Sequence, residues 1–199
     1  MFPIGKIHYL TEDKSSYVIE IHLEPEMMPT PAEMKKLRDL KPEIRDEIKM
    51  YGKPVQVPRF QQTYGKSYKF RGMERKALPM PEIIEKYIDY CRLRSPSLNG
   101  TLVNWYPNGD YYIGAHRDNE SDLIKGSEIF SFSFGASDRK FILTEIATKK
   151  KTEIKMPHGT LLIMGGRCQE THKHEVPKSG KTNFSNEMRI NLTFRSFKI

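Results

Sequence analysis

Apolar and polar residues alternate along residues 189–195, near the C-terminal end of the chain. Side chains two residues apart share one face of a strand, so this segment would have an apolar face and a polar face. The apolar face carries Ile190, Leu192 and Phe194, and the polar face carries Arg189, Asn191, Thr193 and Arg195. If this polar face is buried, the two arginines need anionic partners, because a buried unpaired charge is costly.

Five further segments show either this alternation or a short apolar run bounded by turn residues. They are residues 102–106, 129–134, 140–146, 153–156 and 160–164. Short strands at regular intervals, separated by turn signals, favour a barrel or a sandwich. We therefore expect the second half of the chain to be mostly β-structure.

The first half of the chain has a more helical pattern. Residues 18–23 predict one strand, and residues 32–50 predict a helix with apolar residues on one side. Residues 81–93 predict a second helix, because a proline stands at its start and apolar residues form a stripe along it.

The composition is that of a globular protein. Of the 199 residues, 37% are hydrophobic and 29% are charged, and no apolar run is long enough to span a bilayer. The N-terminus lacks the charged start and apolar stretch of a secretory signal. The two cysteines, Cys91 and Cys168, form no CxxC motif, which favours a reducing compartment. We expect a soluble, intracellular protein with no membrane partner, and leave nucleus or cytoplasm open.

Positive charge is concentrated between Lys49 and Lys76. The chain has a formal net charge of +8, and this segment interleaves basic and aromatic residues that only Glu74 opposes. Such interleaving suits a partner that offers phosphates and bases together. A solvated basic loop would explain the charge equally well, so charge alone leaves nucleic-acid binding open.

Residues in two distant segments have the character of metal ligands. His116 and Asp118 are two residues apart, so at a strand end they would point the same way. His172 and His174 are the candidates for a third ligand. Two histidines and one carboxylate on one face of an octahedron are typical of non-haem iron oxygenases. An HxD pair alone is weak evidence, but its coincidence with a downstream histidine and two arginines indicates iron with 2-oxoglutarate beside it.

Several motifs follow one another in an order that is typical of one family. They are Asn104-Trp105-Tyr106, the block from Tyr112 to Glu120, Ser131 to Ala136, Gly159 to Met164, His174 to Pro177, and Arg189 to Arg195. On these motifs, which cover roughly residues 50–197, the chain resembles the AlkB family of 2-oxoglutarate/Fe(II)-dependent nucleic-acid dealkylases. It is most similar to the animal DNA-repair members.

The resemblance implies an α+β fold whose core is a double-stranded β-helix, or jelly-roll. Residues 1–100 would form N-terminal helices and a nucleotide-recognition lid. Residues 101–199 would form the catalytic core, and the two parts would make one compact unit.

The resemblance also implies roles for individual residues. His116, Asp118 and His174 would bind Fe(II) and form the catalytic centre, whereas His172 would be a bystander. The residues that would hold 2-oxoglutarate are Asn104, Tyr106, Arg189, Asn191, Thr193 and Arg195. Of the two arginines, Arg189 would take the distal carboxylate.

In the family, residues of the lid recognise a base that has been extruded from the nucleic acid. Tyr68 would contact that base and Phe70 would stack on it, with His116 on the other side. The segment Met50-Tyr51-Gly52 would act as a wedge that fills the gap left by the base. Apolar wedges of this kind offset part of the cost of unstacking.

One position departs from the family pattern. Family members usually carry Asp directly after the metal-binding Asp, whereas this chain has Asn119 followed by Glu120. Asn119 would accept a hydrogen bond from the base without bringing a charge, and Glu120 would supply that charge. The base preference is therefore left open.

The function implied by the resemblance is oxidative demethylation of N-alkylated DNA bases such as 1-methyladenine and 3-methylcytosine. The base would be flipped, and formaldehyde and succinate would be released with Fe(II), 2-oxoglutarate and O2 as cofactors. DNA is the expected partner of a monomeric protein, and RNA is left open. The alternatives are an RNA demethylase, a dioxygenase acting on protein side chains, a catalytically silent nucleic-acid-binding barrel and a zinc-holding cupin-like barrel.

Overall fold

The computed structural model describes residues 2–50, 53–70, 73–136, 139–179 and 187–198, with the backbone alone at 49–50, 69–70 and 73–74. Its helices are α1 (Pro31–Asp39), α2 (Glu82–Arg92) and α3 (Cys168–Thr171), with a 3-10 turn at Pro25–Met27. Its strands are β1 (Lys6–Tyr9), β2 (Ser16–His22), β3 (Glu47–Met50), β4 (Lys53–Gln56), β5 (Phe60–Tyr64), β6 (Tyr68–Phe70), β7 (Met73–Arg75), β8 (Gly100–Tyr106), β9 (Ile113–His116), β10 (Ile129–Gly135), β11 (Lys140–Glu145), β12 (Lys151–Lys155), β13 (Thr160–Gly166), β14 (His172–Val176) and β15 (Arg189–Arg195).

Two antiparallel sheets form the body of the molecule. The larger sheet has the strand order β1-β2-β13-β10-β15-β8-β5, and the smaller has the order β12-β11-β14-β9. Two hairpins, β3–β4 and β6–β7, pair separately from both sheets. This arrangement confirms the predicted α+β fold with a jelly-roll core.

Helices α1 and α2 cover the outer face of the larger sheet. Phe132 and Ile190 of the sheet, Leu37 of α1 and Tyr87 of α2 belong to one buried apolar cluster. The indole N–H of Trp105 donates to the carbonyl oxygen of Leu37 at 2.8 Å, so the polar end of this buried ring has a partner. The predicted apolar face of β15 thus packs toward the helices.

A second apolar cluster lies between the two sheets. Val18 and Leu162 of the larger sheet meet Phe141 and Ile154 of the smaller sheet. Because both sheets direct alternate side chains inward, this cluster fixes their spacing. The polar face of β15 points into the same space and borders a cavity beside the cluster.

Helix α1 is shorter than the sequence predicts. It begins with a capping box, in which the Thr30 hydroxyl accepts from the Glu33 amide and the Glu33 carboxylate accepts from the Thr30 amide. The predicted helix over residues 32–50 is wrong beyond Asp39. Pro42 lacks an amide hydrogen and disfavours a helical residue before it, so the chain leaves the helix and then forms β3.

The first 100 residues contribute strands to the larger sheet. β1 and β2 extend it at one edge, and β5 extends it at the other. The predicted strand at residues 18–23 is confirmed as β2, and the helix predicted at residues 81–93 is confirmed as α2. The division at residue 100 stays a prediction. No helix in the described ranges is long and apolar enough to cross a membrane.

Candidate metal centre

His116 and His174 face each other on paired strands. His116 ends β9, His174 lies within β14, and the two are direct partners in the antiparallel register. Cross-strand partners point to the same side of a sheet, so both imidazoles face inward. Their ring centroids are 4.2 Å apart.

Asp118 completes a cluster of three candidate metal ligands. It follows β9 by two residues, and only 4% of its surface is exposed. Its Oδ1 lies 3.7 Å from Nε2 of His116, and its Oδ2 lies 3.9 Å from Nε2 of His174. One ligand atom from each residue lies within 4.8 Å of the others, and no other such group occurs in the described ranges. The sequence-predicted triad is therefore brought together.

The hydrogen bonds around the cluster leave the ligand atoms directed inward. Nδ1 of His116 lies 2.9 Å from the carbonyl oxygen of Gly114, which suits an Nδ1–H donor and leaves the Nε2 lone pair available. Asp118 Oδ1 accepts from Nη2 of Arg195 at 2.8 Å. Asp118 Oδ2 is buried and has no hydrogen-bond partner among the described residues. A metal ion would satisfy this oxygen, so the donor set fits ferrous iron.

The protonation states also suit metal binding. Burial lowers the pKa of His174 to about 3, with His116 adding to the effect. Burial likewise lowers the pKa of His116. Burial alone would raise the pKa of the Asp118 carboxyl, but Arg195 and the two histidines hold it at about 2. At neutral pH the cluster thus presents two neutral imidazoles and a carboxylate, which are the forms that bind metals.

A cavity of about 380 Å³ opens from this cluster between the two sheets. Its volume lies within the range of small-molecule sites. Every residue predicted to hold 2-oxoglutarate lines it, namely Asn104, Tyr106, Arg189, Asn191, Thr193 and Arg195. The polar face of β15 is therefore a wall of this cavity rather than a solvated surface.

Arg189 is buried in the wall of the cavity, with 1% of its surface exposed. Its Nε donates to the Ser133 hydroxyl at 2.9 Å, and its Nη2 lies 3.3 Å from the sulfur of Met156. Its guanidinium carbon is 5.1 Å from the ring centre of Tyr106. Nη1 has no hydrogen-bond partner in the described part of the chain. Burial lowers the pKa of Arg189 to about 10, so the group is charged at neutral pH and suits an anionic partner.

The amides and hydroxyl between the two arginines form a connected network. Asn191 donates to the Ser131 hydroxyl at 2.8 Å and accepts from the Thr193 hydroxyl at 3.0 Å. Asn104 donates to the same Asn191 oxygen at 3.4 Å. These side chains hold one another in place along the cavity wall, which pre-orients them for a polar ligand.

The residues predicted to contact the base are only partly brought together. Tyr68 is buried, lines the cavity and stacks on Phe197 with ring centroids 4.7 Å apart. Glu120 lines both this cavity and a second cavity on the other side of Asp118, whereas Asn119 is exposed and lines only the second.

The structure describes only part of the predicted wedge, Met50-Tyr51-Gly52, and only the backbone of Phe70, the predicted stacking residue. The backbone of Met50 ends β3 and that of Phe70 ends β6, but their side chains lie outside the described residues. Tyr51 and Gly52 lie wholly outside them. The roles of this segment and of Phe70 therefore stay predictions.

The structure also identifies cavity residues that sequence reasoning missed. Nε of Arg59 donates to the side-chain oxygen of Asn104 at 2.7 Å, and Arg59 lines the cavity. Asp46 accepts from Gln61 at 2.7 Å and forms an ion pair with Arg75, which joins the base of the β3–β4 hairpin to β5 and β7. The basic character of the segment signalled Arg59 and Arg75, but their partners depend on tertiary contacts.

His172 behaves as a bystander. It is buried on β14, two residues before His174, and its Nδ1 lies 2.7 Å from the Thr171 hydroxyl. It does not belong to the ligand cluster and does not line the cavity. His174 is therefore the histidine of this strand that can serve as the third ligand.

The chain is similar to known proteins both in sequence and in fold. A sequence model described as the 2OG-Fe(II) oxygenase superfamily matches residues 20–195. A solved structure entitled "The structure of OsALKBH1" aligns with a TM-score of 0.56 at 19% identity, covering 89% of this chain and 97% of that one. At this identity the match supports the fold alone.

Two kinds of curated relative are similar in sequence. DNA oxidative demethylase ALKBH2 of Mus musculus is 34% identical over 161 residues, covering 75% of this chain and 66% of the relative. ALKBH2 of Homo sapiens is 33% identical, covering 74% and 60%. Alpha-ketoglutarate-dependent dioxygenase alkB homolog 3 of Bos taurus is 38% identical over 109 residues, covering 50% and 37%. The chain spans less than two thirds of the length of these relatives.

Proposed function

The chain belongs to the 2OG-Fe(II) oxygenase superfamily, and from this membership we propose that it is an oxidative demethylase of N-alkylated bases in DNA. The similarity to ALKBH2 and alkB homolog 3 confirms the predicted resemblance to the AlkB family. The names of these relatives support DNA as the partner and demethylation as the reaction.

One observation carries the proposal. The His116, Asp118 and His174 cluster shares a single cavity with two buried arginines, Arg189 and Arg195. A metal-binding cluster alone would fit many proteins, and buried arginines alone would fit any anion site. Together they match what a ferrous oxygenase with a dicarboxylate cosubstrate requires.

The three ligands would hold Fe(II), and the polar wall would hold 2-oxoglutarate. Arg195 donates to Asp118 beside the cluster, so it suits the carboxylate nearer the metal. Arg189 is bonded to Ser133 and Met156 rather than to the three ligands, and its Nη1 is unpartnered in the described part of the chain, so it suits the distal carboxylate. A guanidinium group can hold a carboxylate bidentately, which fixes the orientation of the cosubstrate.

When bound, iron and 2-oxoglutarate supply with O2 the oxidation that hydroxylates the N-methyl carbon, leaving succinate, carbon dioxide and a hemiaminal that releases formaldehyde. The protein contributes positions rather than reactive groups. Strands β9 and β14 and the segment of Asp118 would hold the metal, and the network of Asn104, Asn191 and Thr193 helps to fix the wall that would bind the cosubstrate. The cavity lies between two sheets, which limits the access of water to the reacting atoms.

Aromatic and acidic groups on the cavity wall suit a cationic methylated base. A base methylated on its pairing edge carries positive charge, which the face of an aromatic ring attracts. Tyr68 lines the cavity for such a contact. A buried oxygen of Glu120, Oε2, has no hydrogen-bond partner among the described residues, so it would accept from an exocyclic amine. We assign this acceptor role to Glu120, with Asn119 outside the cavity.

The two hairpins would handle the nucleic acid outside the cavity. Ile48 and Val55 of the β3–β4 hairpin line the cavity, so this hairpin stands at its edge. We propose that Met50, Tyr51 and Gly52, which lie between β3 and β4 in the sequence or end β3, enter the stack as the base is flipped, and that Phe70 of β6 stacks on the flipped base. Methylated bases pair poorly, which lowers the free energy of flipping.

We also propose a cellular compartment, an oligomeric state and a nucleic-acid partner for the protein. Cys91 and Cys168 are free and buried, which is compatible with a reducing intracellular compartment. We propose that the protein acts there as a monomer on DNA. RNA carrying the same methylated bases is the alternative substrate, because the roles proposed above concern the base and the cosubstrate rather than the sugar.

The test is a release assay on four matched oligonucleotides. Single-stranded and duplex DNA, and single-stranded and duplex RNA, each carry one 1-methyladenine or one 3-methylcytosine, and formaldehyde and succinate are measured with Fe(II) and 2-oxoglutarate. We expect both products in equal amounts, with faster release from DNA than from RNA. Omitting 2-oxoglutarate is the control and should stop release.

Two outcomes would contradict the proposal. Faster release from both RNA forms would replace DNA with RNA as the substrate. Absence of formaldehyde from all four oligonucleotides, with a folded and metal-loaded protein, would refute demethylation of these bases.

A further inference from the structure

Asp118 is the only member of the ligand cluster that lies outside a strand. His116 and His174 are paired across β9 and β14, so the ladder fixes both of their backbones. Asp118 follows the end of β9 in a segment without regular secondary structure. A carboxylate on such a segment faces the imidazoles only if another contact holds its main chain.

Gln169 makes a contact with that main chain. Its Oε1 accepts a hydrogen bond from the Asp118 amide at 2.9 Å, and its Nε2 lies 3.3 Å from the sulfur of Met164. Gln169 belongs to α3, the short helix that directly precedes β14. A single side chain thus links the segment of Asp118 to the segment that carries His174.

Helix α3, which carries Gln169, is held in place by contacts with neighbouring segments. The amide of Arg167 at its start donates to the Ser15 carbonyl at 2.7 Å, and the Thr171 hydroxyl lies 2.8 Å from that of Ser16. Cys168 is buried, with 1% of its surface exposed, in the cluster between the sheets. These contacts tie α3 to the start of β2, so the amide of Gln169 is held at a defined place.

Gln169 and Arg195 hold Asp118 from different sides. Arg195 binds the carboxylate and lines the main cavity, where the cosubstrate would lie. Gln169 does not line that cavity but borders a second cavity, of about 340 Å³, behind Asp118. A bound dicarboxylate would therefore compete for Arg195 and leave the contact of Gln169 unchanged.

We propose that Gln169 is a positioning residue that keeps the Asp118 carboxylate turned toward His116 and His174. It would contact neither the metal nor the substrate and would act through the Asp118 main chain. The inference rests on the metal assignment within the proposed function. Partners that orient metal ligands typically change metal affinity by about 10- to 100-fold.

The test compares Mn²⁺ affinity among matched variants of the whole chain, without 2-oxoglutarate. Gln169→Met keeps the side-chain length but removes the acceptor, and Gln169→Glu keeps an acceptor oxygen. Gln62→Met is the control, because Gln62 donates to the Thr63 carbonyl at 3.1 Å and lines neither cavity. We expect Kd for Mn²⁺ to rise about 10-fold or more in Q169M and to stay within about threefold of wild type in Q169E and Q62M.

Two outcomes would overturn the inference. An unchanged Kd in a folded Q169M would remove the role of the acceptor. A Q169E protein that binds Mn²⁺ as weakly as Q169M would show that metal affinity depends on the side-chain NH2 group of Gln169 and not on its oxygen.

A measurement on the wild-type protein covers the case in which Q169M does not fold. The Asp118 amide should exchange its hydrogen at least about tenfold more slowly than in an unstructured peptide, because Gln169 accepts from it. Exchange at the unstructured rate would overturn the inference. Mn²⁺ affinity and amide exchange do not depend on demethylation, so a protein that releases no formaldehyde but shows these effects would refute the proposed function alone.

Discussion

At the scale of single residues, Arg189 and Arg195 illustrate how one strand face can serve two ends of a ligand. Both lie on the polar face of β15, which the sequence predicts from its alternation, and both are buried. Arg195 is neutralised by Asp118, whereas Arg189 contacts a hydroxyl and a sulfur and keeps Nη1 unpartnered among the described residues. This difference is the basis for assigning them to different carboxylates of 2-oxoglutarate.

Replacing Arg189 should weaken cosubstrate binding without disturbing the metal. We expect Arg189→Gln to raise KM for 2-oxoglutarate by about 10- to 100-fold, since a hydrogen bond to a charged group contributes about 1.5–3 kcal/mol. Arg189→Lys should recover only part of this loss, because an ammonium group lacks the planar fork of a guanidinium group. The measurements are KM for 2-oxoglutarate and Kd for Mn²⁺. An increase in Kd equal to the increase in KM would show that Arg189 supports the metal site instead.

Also at the residue scale, the sequence predicts the three candidate metal ligands but not the residues that contact them. The HxD spacing, the downstream histidine and the family motifs are local signals, and the structure brings those residues together. Gln169 and Arg59 contact Asp118 and Asn104 only through tertiary structure, so no spacing rule predicts them. The position of Asn119 beside Asp118 predicts a contact with the base, but Asn119 is exposed and lines the second cavity rather than the main one.

At the scale of elements, the sequence predicts strands correctly where at least one face of the strand is apolar. β10, β13 and β15 were predicted from alternation or an apolar run, and each lies in the middle of the larger sheet. β9 and β14 were not predicted, because their inward positions include histidines and their pattern is not apolar. The strands that carry the two candidate histidine ligands are thus among those that hydrophobic periodicity does not predict.

The packing of α1 on the larger sheet gives a prediction about stability. Leu37 is fully buried, with 0% of its surface exposed. Leu37→Ala should lower the free energy of unfolding by about 2–5 kcal/mol, because it leaves a cavity against the sheet. The matched control is Leu93, which directly follows α2 and is 70% exposed. Leu93→Ala should change the free energy of unfolding by about 0.5 kcal/mol or less. Urea denaturation measures both, and equal losses would contradict this packing.

At the scale of the whole molecule, the ligand cluster links metal binding to stability. Folding buries two imidazoles and a carboxylate close together, and in the absence of metal this arrangement favours the neutral imidazoles. The unfolded chain exposes the same groups and lets them titrate at their ordinary values. The pH dependence of stability therefore reports on the site.

We expect the metal-free protein to lose stability as the pH falls below about 6.5. The pKa of His174 is about 3 in the folded protein, against 6.5 for an ordinary histidine. Between these values the unfolded chain binds more protons, so acid favours unfolding, and the stabilisation is fully present above 6.5. Asp118 has a pKa of about 2 in the folded protein, against 3.8 for an ordinary aspartate, so it adds a further loss of stability as the pH falls below 3.8. Urea unfolding across this range measures the effect, and His174→Ala should reduce it. Equal pH dependence in the two proteins would contradict the account.

The metal centre is tested by the stoichiometry of Mn²⁺ binding in the wild type and in four variants whose fold is checked by circular dichroism. We expect one ion per chain for the wild type and for His172→Ala, which changes a buried histidine two residues from His174. We expect no comparable binding for His116→Ala, Asp118→Ala or His174→Ala. Wild-type binding by any folded member of these three, or its loss in His172→Ala, would contradict the assignment of the metal centre.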